Sequence, residues 1–257
     1  MPDSVQQRLE WKDSSSGVSA GSGEVHLWRA CLEFPETQAQ YLSGLLPPEE
    51  RARAERIIVP AKRRQQALSM GLLRVILGHY LAAAPASLQF EAGPKGKPVL
   101  GGPHAGALHF NLSHSGAWAL YAVTRGAAVG VDLEEVNARH DYEGVARRFF
   151  SAAEQAALAQ FPEGRREEAF YRCWTGKEAV LKATGEGLSF PLDQCEILVH
   201  PDTTIRLLSL NDPAHASQCW SLCSCEPAQG FFAACAVMEQ PVSWHAWDVA
   251  GVLGPAQ

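Results

Sequence analysis

The chain has 257 residues, of which 46% are hydrophobic and 19% charged, and a formal net charge of -6. These values are typical of a globular protein with one large domain or two small ones. The negative charge argues against a general nucleic-acid binder. The sequence has no apolar run of membrane-spanning length and no signal-peptide core near Met1. We therefore expect a cytoplasmic protein that does not bind membranes.

Residues 1–23 end in the Ser/Gly-rich run SSSGVSAGSG, which predicts a flexible N-terminal tail. The alternation of apolar and polar residues from Val25 to Trp28 then predicts a strand. A helix is predicted to begin near Leu46, where prolines and acids fill the first turn. A second helix is predicted from Gln65 to Leu81, with a largely buried apolar face.

Positive charge is concentrated between these two predicted helices, at Arg51, Arg53, Arg56, Lys62, Arg63 and Arg64. Such a cluster is either a solvated helix face or a site for phosphate. The glycine-rich turn at residues 93–98 carries two more cations, Lys95 and Lys97. It lacks the Walker pattern, and an ordinary turn is favoured over an oxyanion-binding one.

Two further strands are predicted at residues 108–116 and 118–123. The first contains Asn111, Ser113 and His114. Ser113 and His114 suggest a serine hydrolase, but the G-x-S-x-G motif is absent. Adjacent strand residues also point to opposite faces, which is wrong for a nucleophile and its base. A histidine that donates a hydrogen bond to an anion is the preferred interpretation of His114.

Two acids follow an apolar run at residues 129–131. Asp132 and Glu134 are two residues apart, so on a strand they share a face. Paired carboxylates need a cation between them, and Mg²⁺ prefers oxygen ligands. The alternative is a solvated strand end with ordinary surface acids. Glu135 should point away from such a site.

The second half of the chain begins with a predicted short helix at residues 145–150. Ser151 and Glu154 then form a capping-box pattern, and a long helix is predicted over residues 165–183. Glu178 and Lys182 share a face of this helix one turn apart, which by itself is compatible with a surface ion pair. Strands are predicted at residues 195–200, 205–210, 220–225 and 231–237.

The seven cysteines include no C-x-x-C pair. Cys219, Cys223 and Cys225 lie close together in sequence, downstream of His215. We interpret them as reduced core residues, since free cysteine behaves as a small hydrophobe. A metal site is the less favoured alternative.

An offset of about 103 residues superimposes the two parts of the sequence as a weak internal repeat. Residues 25–28 then fall on 128–131, and the two long predicted helices coincide. The prediction is an α+β fold of two similar halves related by a pseudo-two-fold, each a small antiparallel sheet packed with helices. Residues 24–126 and 127–250 form the halves, and chance similarity is the alternative. A ligand site is expected in the cleft between them.

Five ordered motifs give this sequence a resemblance to a known family. They are PPEERARAER (47–56), GKP (96–98), FNLSHS (110–115), GVDLE (130–134) and WTGKEAVLK (174–182). The sequence resembles the 4′-phosphopantetheinyl transferases, most closely the pseudo-dimeric Sfp type. The resemblance covers about residues 25–240. It implies transfer of phosphopantetheine from coenzyme A to a serine of an apo acyl or peptidyl carrier protein, with release of adenosine 3′,5′-bisphosphate.

The resemblance also implies roles for individual residues. Asp132, Glu134 and Glu178 would be ligands of Mg²⁺, with Asp132 also facing coenzyme A. Glu178 would be the general base, directly or through a water, and Lys182 would contact the pyrophosphate. The remaining coenzyme A contacts would come from Arg53, Arg63, Lys95, Lys97, Asn111, Ser113 and His114.

The expected partners are coenzyme A and a carrier protein, and a monomer is expected because the second half can replace a partner subunit. We expect the carrier to dock on residues 136–150, which include Arg139, Arg147 and Arg148. The alternative is a coenzyme A or nucleotide-binding module without catalysis. Three intact acids argue against that alternative, since binding alone would not need them.

Overall fold

The computed structural model describes residues 9–13, 18–137, 139–202, 204–215, 217–240 and 242–253. The helices are α1 (Glu36–Gly44), α2 (Pro48–Glu55), α3 (Pro60–Leu81), α4 (Tyr142–Phe149), α5 (Ala152–Ala159), α6 (Glu163–Thr184) and α7 (Ala250–Leu253). The strands are β1 (Trp11–Asp13), β2 (Glu24–Cys31), β3 (Phe90–Ala92), β4 (Pro98–Leu100), β5 (His109–Ser115), β6 (Trp118–Thr124), β7 (Val129–Glu135), β8 (Cys195–Val199), β9 (Ile205–Leu210), β10 (Ser221–Cys225), β11 (Phe231–Val237) and β12 (Ser243–Asp248).

The order of elements repeats along the chain. A strand, three helices, a two-stranded hairpin and two further strands run from β2 to β6, and the same series runs from β7 to β11. The third helix of each series, α3 and α6, has 22 residues, and the two begin 103 residues apart. The fold is therefore α+β, with two similar halves, as predicted.

The strands form two main sheets. The first has the order β1-β12-β2-β6-β5 and the second the order β10-β11-β7, with separate hairpins β3-β4 and β8-β9. In each half the first strand pairs antiparallel with the last, as β2 does with β6 and β7 with β11. One hydrophobic core lies between α3 and the first sheet, and another lies between α6 and the second sheet. A third core is lined by residues of both sheets.

The structure differs from the predicted boundaries at both ends of the chain. Strand β1 forms within the predicted tail, since Trp11, Lys12 and Asp13 pair with β12. Strand β12, which was not predicted, lies within residues 127–250 of the predicted second half, yet it pairs in parallel with β2 of the first half. Residues 1–8 and 14–17 of the predicted tail lie outside the described residues. Both differences are long-range pairings, which local sequence patterns do not encode.

The predicted repeat is correct for the helices and wrong by one residue for the first strands. His26 of β2 pairs with Val123, the second-last residue of β6. Gly130 of β7 pairs with Ala236, the second-last residue of β11, so Gly130 is the counterpart of His26. The matching strand residues are thus 104 apart, whereas an offset of 103 fits the helices. A slip of one residue turns a strand side chain to the other face. Trp28, and not Arg29, is therefore the counterpart of Asp132.

Most predicted helices and strands are confirmed, and the differences are local. The capping box is present, with the Ser151 hydroxyl accepting from the Glu154 amide and the Glu154 carboxylate accepting from the Ser151 amide. Helix α3 begins at Pro60, so Lys62, Arg63 and Arg64 lie in its first turns and not between two helices. Helix α1 and hairpin β3-β4 were not predicted. None of the described helices is long and apolar enough to cross a membrane.

Candidate functional site

The candidate site forms where β7 lies directly against α6. A Cβ atom added at Gly130 would lie 2.0 Å from the Ala179 carbonyl oxygen and 2.4 Å from the Ala183 amide nitrogen. Only glycine fits at this contact. The close approach brings Asp132, two residues along the strand on the same face, to the helix turn that carries Lys182. The predicted acids of β7 and the predicted pair on α6 therefore belong to one cluster.

Three polar groups meet at the centre of this cluster. Lys182 Nζ lies 2.6 Å from Asp132 Oδ1 and donates to Ser113 Oγ at 3.0 Å. The Ser113 hydroxyl donates to the same Asp132 oxygen at 3.1 Å. Asp132 is 4% exposed, so this ion pair is sheltered from solvent on the carboxylate side. Residues of both halves are thus joined here, since Ser113 comes from β5.

The other two acids are held in an environment that disfavours their charge. Burial and the neighbouring Asp132 raise the pKa of Glu134 to about 7. The same two causes raise the pKa of Glu178 to about 7. Closely spaced carboxylates repel, and burial removes the water that would otherwise stabilise them. Both groups consequently titrate near neutral pH.

Two carboxylate oxygens of the cluster are buried without a hydrogen-bond partner among the described residues, Asp132 Oδ2 and Glu178 Oε1. Buried oxygens of this kind are costly unless a donor or a cation satisfies them. The ligand atoms of Asp132, Glu134 and Glu178 do not all lie within 4.8 Å of one another in the part of the chain described.

Strand β5 runs beside β7, and we call the line between them the seam. Side chains of β5 bridge it: Asn111 Oδ1 accepts from the Val131 amide at 2.9 Å. Ser115 Oγ donates to Glu134 Oε2 at 3.3 Å and accepts from the Glu135 amide at 3.1 Å. Ser115 was not predicted as a site residue. Its position two residues after Ser113, on the same strand face, was the available signal.

His114 points to the other side of β5 from Ser113, as the strand alternation predicts. Its Nε2 lies 3.2 Å from Gln66 Oε1 of α3. Burial, together with the nearby Lys182 and Lys62, lowers the pKa of His114. The ring is therefore neutral at neutral pH.

The two lysines of the β3-β4 turn reach across to the second half. Lys97 Nζ donates to the carbonyls of Val129 at 2.8 Å and Lys182 at 2.7 Å, and burial lowers its pKa to about 8. Lys95 pairs with Glu186, after the end of α6, and donates to Ser189 Oγ at 3.2 Å. The turn thus fastens α6 and β7 to the first half, which an ordinary surface turn would not do.

The structure does not bring the two predicted arginines into this cluster. Arg53 is exposed in the last turn of α2, and Arg63 is exposed on α3, where it donates to the Ile57 carbonyl at 3.0 Å. Within the described residues, neither makes a hydrogen bond to the acids, to Ser113 or to Lys182. Their predicted contact with coenzyme A stays a prediction.

Lys177, next to Glu178, has a role that was not predicted. Its side chain is fully buried, and its Nζ lies 2.6 Å from Glu154 Oε2 and donates to the Leu192 carbonyl at 2.9 Å. The other Glu154 oxygen accepts from the Ile197 amide at 2.7 Å. These bonds fix α6 against α5 and β8. The capping box predicted Glu154 at the helix start but not this second use.

Close packing explains why a glycine, Gly176, stands inside helix α6 although glycine has a low helix propensity. A Cβ at Gly176 would come within 3.2 Å of Ile197 and 3.3 Å of Ile205, so the hairpin β8-β9 packs closely on α6 there.

Two further predictions concern side chains outside the cluster. Glu135, predicted to be a surface acid, is exposed. Five of the seven cysteines are buried as predicted, whereas Cys219 is exposed and Cys31 is half-buried.

Comparison with known proteins identifies relatives that cover most of the chain. Residues 128–236 match the model of the 4′-phosphopantetheinyl transferase superfamily, and residues 33–125 match that of the 4′-phosphopantetheinyl transferase N-terminal region. The 4′-phosphopantetheinyl transferase HetI of Nostoc sp. is 39% identical over 239 residues, covering 91% of this chain and 98% of HetI. Psf-1 of Bacillus pumilus is 36% identical over 71% of this chain and 75% of its own.

More distant similarities extend to other organisms and to solved structures. The 4′-phosphopantetheinyl transferase Sfp of Bacillus subtilis is 28% identical over 72% of this chain and 79% of Sfp. The crystal structure of a holo-(acyl-carrier-protein) synthase from Bacillus anthracis in complex with coenzyme A (3′,5′-ADP) aligns at 19% identity. That alignment covers 45% of this chain and 97% of the other, with a TM-score of 0.38.

Proposed function

Because the chain belongs to the 4′-phosphopantetheinyl transferase family, we propose that it modifies apo acyl or peptidyl carrier proteins. It transfers the 4′-phosphopantetheine group of coenzyme A to a carrier serine and releases adenosine 3′,5′-bisphosphate. The observation that carries this proposal is the cluster of Asp132, Glu134, Glu178 and Lys182 at the seam. An acidic cluster beside a lysine and serine hydroxyls suits the positioning and charge neutralisation that phosphoryl transfer needs.

The acids fit Mg²⁺ as the metal of this reaction. Asp132, Glu134 and Glu178 would hold it, since carboxylate oxygens are its preferred protein ligands. The buried, unpartnered oxygens Asp132 Oδ2 and Glu178 Oε1 support this assignment. When bound, Mg²⁺ would supply charge stabilisation on the pyrophosphate of coenzyme A.

Glu178 is the proposed general base. The carrier hydroxyl gives its proton to the Glu178 carboxylate, directly or through a water, as its oxygen bonds to phosphorus. The bond between that phosphorus and the leaving phosphate oxygen breaks. A rigid helix holds Glu178, and its pKa of about 7 suits a base that works near neutral pH.

Lys182 is the proposed partner of the pyrophosphate. Its Nζ already lies between Asp132 and Ser113, where it can offset charge during the transfer. Asn111, Ser113 and His114 are the proposed contacts to the rest of coenzyme A on the β5 side. The proposed contacts to the 3′-phosphate are the cations of the first half, Arg53, Arg63, Lys95 and Lys97. Lys95 and Lys97 also bond to residues of the second half.

Residues 136–150, which contain helix α4, are the proposed docking surface for the carrier, which in this family is usually an acidic helical bundle. Aromatic contacts hold α4 and the residue after it in place, since the ring centres of Tyr142 and Phe150 lie 5.6 and 5.3 Å from that of Phe170. Arg147 and Arg148 of α4 are exposed. Positive charge on a firmly packed helix can steer an acidic partner. We also propose that the enzyme acts as a cytoplasmic monomer, with the second half in place of a partner subunit.

The test is incubation of the protein with coenzyme A, Mg²⁺ and an apo carrier protein, followed by mass spectrometry of the carrier. The expected result is a gain of one phosphopantetheine group that Glu178→Ala abolishes. Glu135→Gln is the matched control, because this exposed neighbouring acid should be dispensable. Coenzyme A binding without modification of acyl, peptidyl or aryl carriers would instead support a non-catalytic binding module.

A further inference from the structure

A second group of metal-ligating side chains lies in the first sheet, away from the acids of the seam. His26 of β2 lies opposite His245 of β12 in their parallel pairing. Glu24 precedes His26 by two residues and therefore shares its face. One ligand atom from each of these three residues lies within 4.8 Å of the other two. Among the described residues, no other group of three or more His, Cys, Asp or Glu side chains has its ligand atoms this close together.

The ligand atoms point at one another. Glu24 Oε2 lies 3.4 Å from His26 Nε2, and Glu24 Oε1 lies 3.9 Å from His245 Nε2. His245 Nε2 is buried and has no hydrogen-bond partner among the described residues. A buried ring nitrogen is costly when it has neither a donor nor an acceptor beside it. A cation between the three side chains would satisfy it.

The other nitrogen of His26 is already held by the protein. His26 Nδ1 lies 2.6 Å from Tyr80 Oη, and Trp28 Nε1 donates to the same oxygen at 2.8 Å. In the His26 tautomer that is protonated at Nδ1, the phenol oxygen accepts both N–H groups and the Nε2 lone pair is available to a metal. Metal-bound histidines commonly have such a partner on their second nitrogen.

We propose that Glu24, His26 and His245 form a binding site for a borderline divalent metal, with Zn²⁺ as the best fit, that ties β12 to β2. Two imidazole nitrogens and one carboxylate suit Zn²⁺, whereas Mg²⁺ prefers oxygen ligands alone. The side chains of His245 and Glu24 are 36% and 35% exposed, so a water can fill a fourth position. The site is independent of the proposed transferase reaction, because it shares no residue with the seam.

The test is a calorimetric titration of the metal-free full chain with Zn²⁺, in buffer without Mg²⁺. One saturable site is expected, together with a Tm that rises with added Zn²⁺. His245→Ala and Glu24→Gln should each weaken binding by more than about tenfold. His200→Ala is the control, since this exposed histidine lies outside the group and its loss should leave the affinity unchanged.

Co²⁺ distinguishes this site from one built on cysteines. With Co²⁺ in place of Zn²⁺, visible d–d bands should appear without a thiolate charge-transfer band, and His245→Ala should remove them. A thiolate band, an absence of saturable binding, or equal affinity in wild type and His245→Ala would each overturn the proposal. His245 and Glu24 are partly exposed, so their variants should fold even if a His26 variant does not.

Discussion

The two halves of the molecule repeat the same elements but differ where the first strand meets the long helix. In the second half, Asp132, Glu134 and Glu178 face that contact. The matching positions of the first half hold Trp28, Ala30 and Val75, all buried in the core between α3 and the first sheet. Apolar side chains there stabilise the first half by burial. At these positions the first half therefore contributes to its hydrophobic core, whereas the second half carries the three acids.

A buried ion pair is common to both halves. Arg74 of α3 bonds Glu50 of α2 at 2.6 Å and the Leu88 carbonyl at 2.8 Å. Lys177 of α6, which is 103 residues after Arg74, bonds Glu154 of α5 and the Leu192 carbonyl in the same way. The pair fixes the long helix against the short helix and the following loop. In the second half, the next residue, Glu178, belongs to the proposed metal site, whereas the matching Val75 is buried in the core.

The largest expected effect comes from breaking these pairs one at a time. Lys177→Met and Arg74→Met should each lower the free energy of unfolding by about 3–5 kcal/mol, because a buried carboxylate is left unpaired. Under conditions where both variants are folded, Lys177→Met should also lower kcat, since it displaces Glu178. Urea unfolding and carrier modification measure the two effects. If Lys177→Met and Arg74→Met lowered kcat equally, the ion pair of the second half would have no special role in positioning Glu178.

A somewhat smaller effect is expected from filling the contact between β7 and α6. Gly130→Ala places a Cβ against the Ala179 carbonyl oxygen, so α6 must move, at a cost of about 1–3 kcal/mol or more. The turnover rate should fall as well, because the movement of α6 separates Lys182 from Asp132. Gly164→Ala, at the open start of the same helix, should leave both unfolding free energy and activity nearly unchanged. Wild-type behaviour of Gly130→Ala would show that the close contact is unnecessary.

The acids should make the stability of the second half depend on pH. Burial raises the pKa of Glu178 to about 7, so the folded state holds its proton more tightly than the unfolded state. Stability should therefore fall as the pH rises from about 4.5 through about 7. In chelator-treated protein, Glu178→Gln should lose less unfolding free energy than wild type as the pH rises, with a difference on the order of 2 kcal/mol at pH 8.

Thermal unfolding across this pH range measures the effect, and Glu135→Gln serves as the exposed control. Added Mg²⁺ should narrow the difference between wild type and Glu178→Gln at pH 8, because the ion favours the ionised carboxylates. Identical pH profiles for wild type and Glu178→Gln would show that Glu178 is not destabilised by its charge.

The smallest expected effect concerns the short helices on the surface. Helix α4 carries Arg147 and Arg148, whereas its counterpart α1 has no basic residue. Reversing both arginines to glutamate should raise KM for an acidic carrier about tenfold and leave kcat at saturation unchanged, because exposed charges act mainly on association. Steady-state kinetics with Arg206→Glu as the control test this. An unchanged KM would exclude α4 as the docking surface.

Local patterns in the sequence determined most of the helices and strands. The spacing of Asp132 and Glu134 on a strand, and of Glu178 and Lys182 on a helix, placed each pair on one face. The capping box at Ser151 fixed the start of α5. The 103-residue repeat predicted two similar halves. These features depend on residues within a few positions of one another, or on a regular offset, so they can be read without coordinates.

Tertiary structure decided the features that depend on contacts between distant residues. Strand β12 joins the first sheet, and the one-residue register difference makes Trp28, not Arg29, the counterpart of Asp132. The partners of Lys97 and Lys177 are carbonyls and a carboxylate far away in sequence. The space left by Gly130 brings Asp132 to Lys182 across the β7–α6 contact. Such outcomes follow from long-range packing and pairing, where a slip of one residue exchanges core for surface.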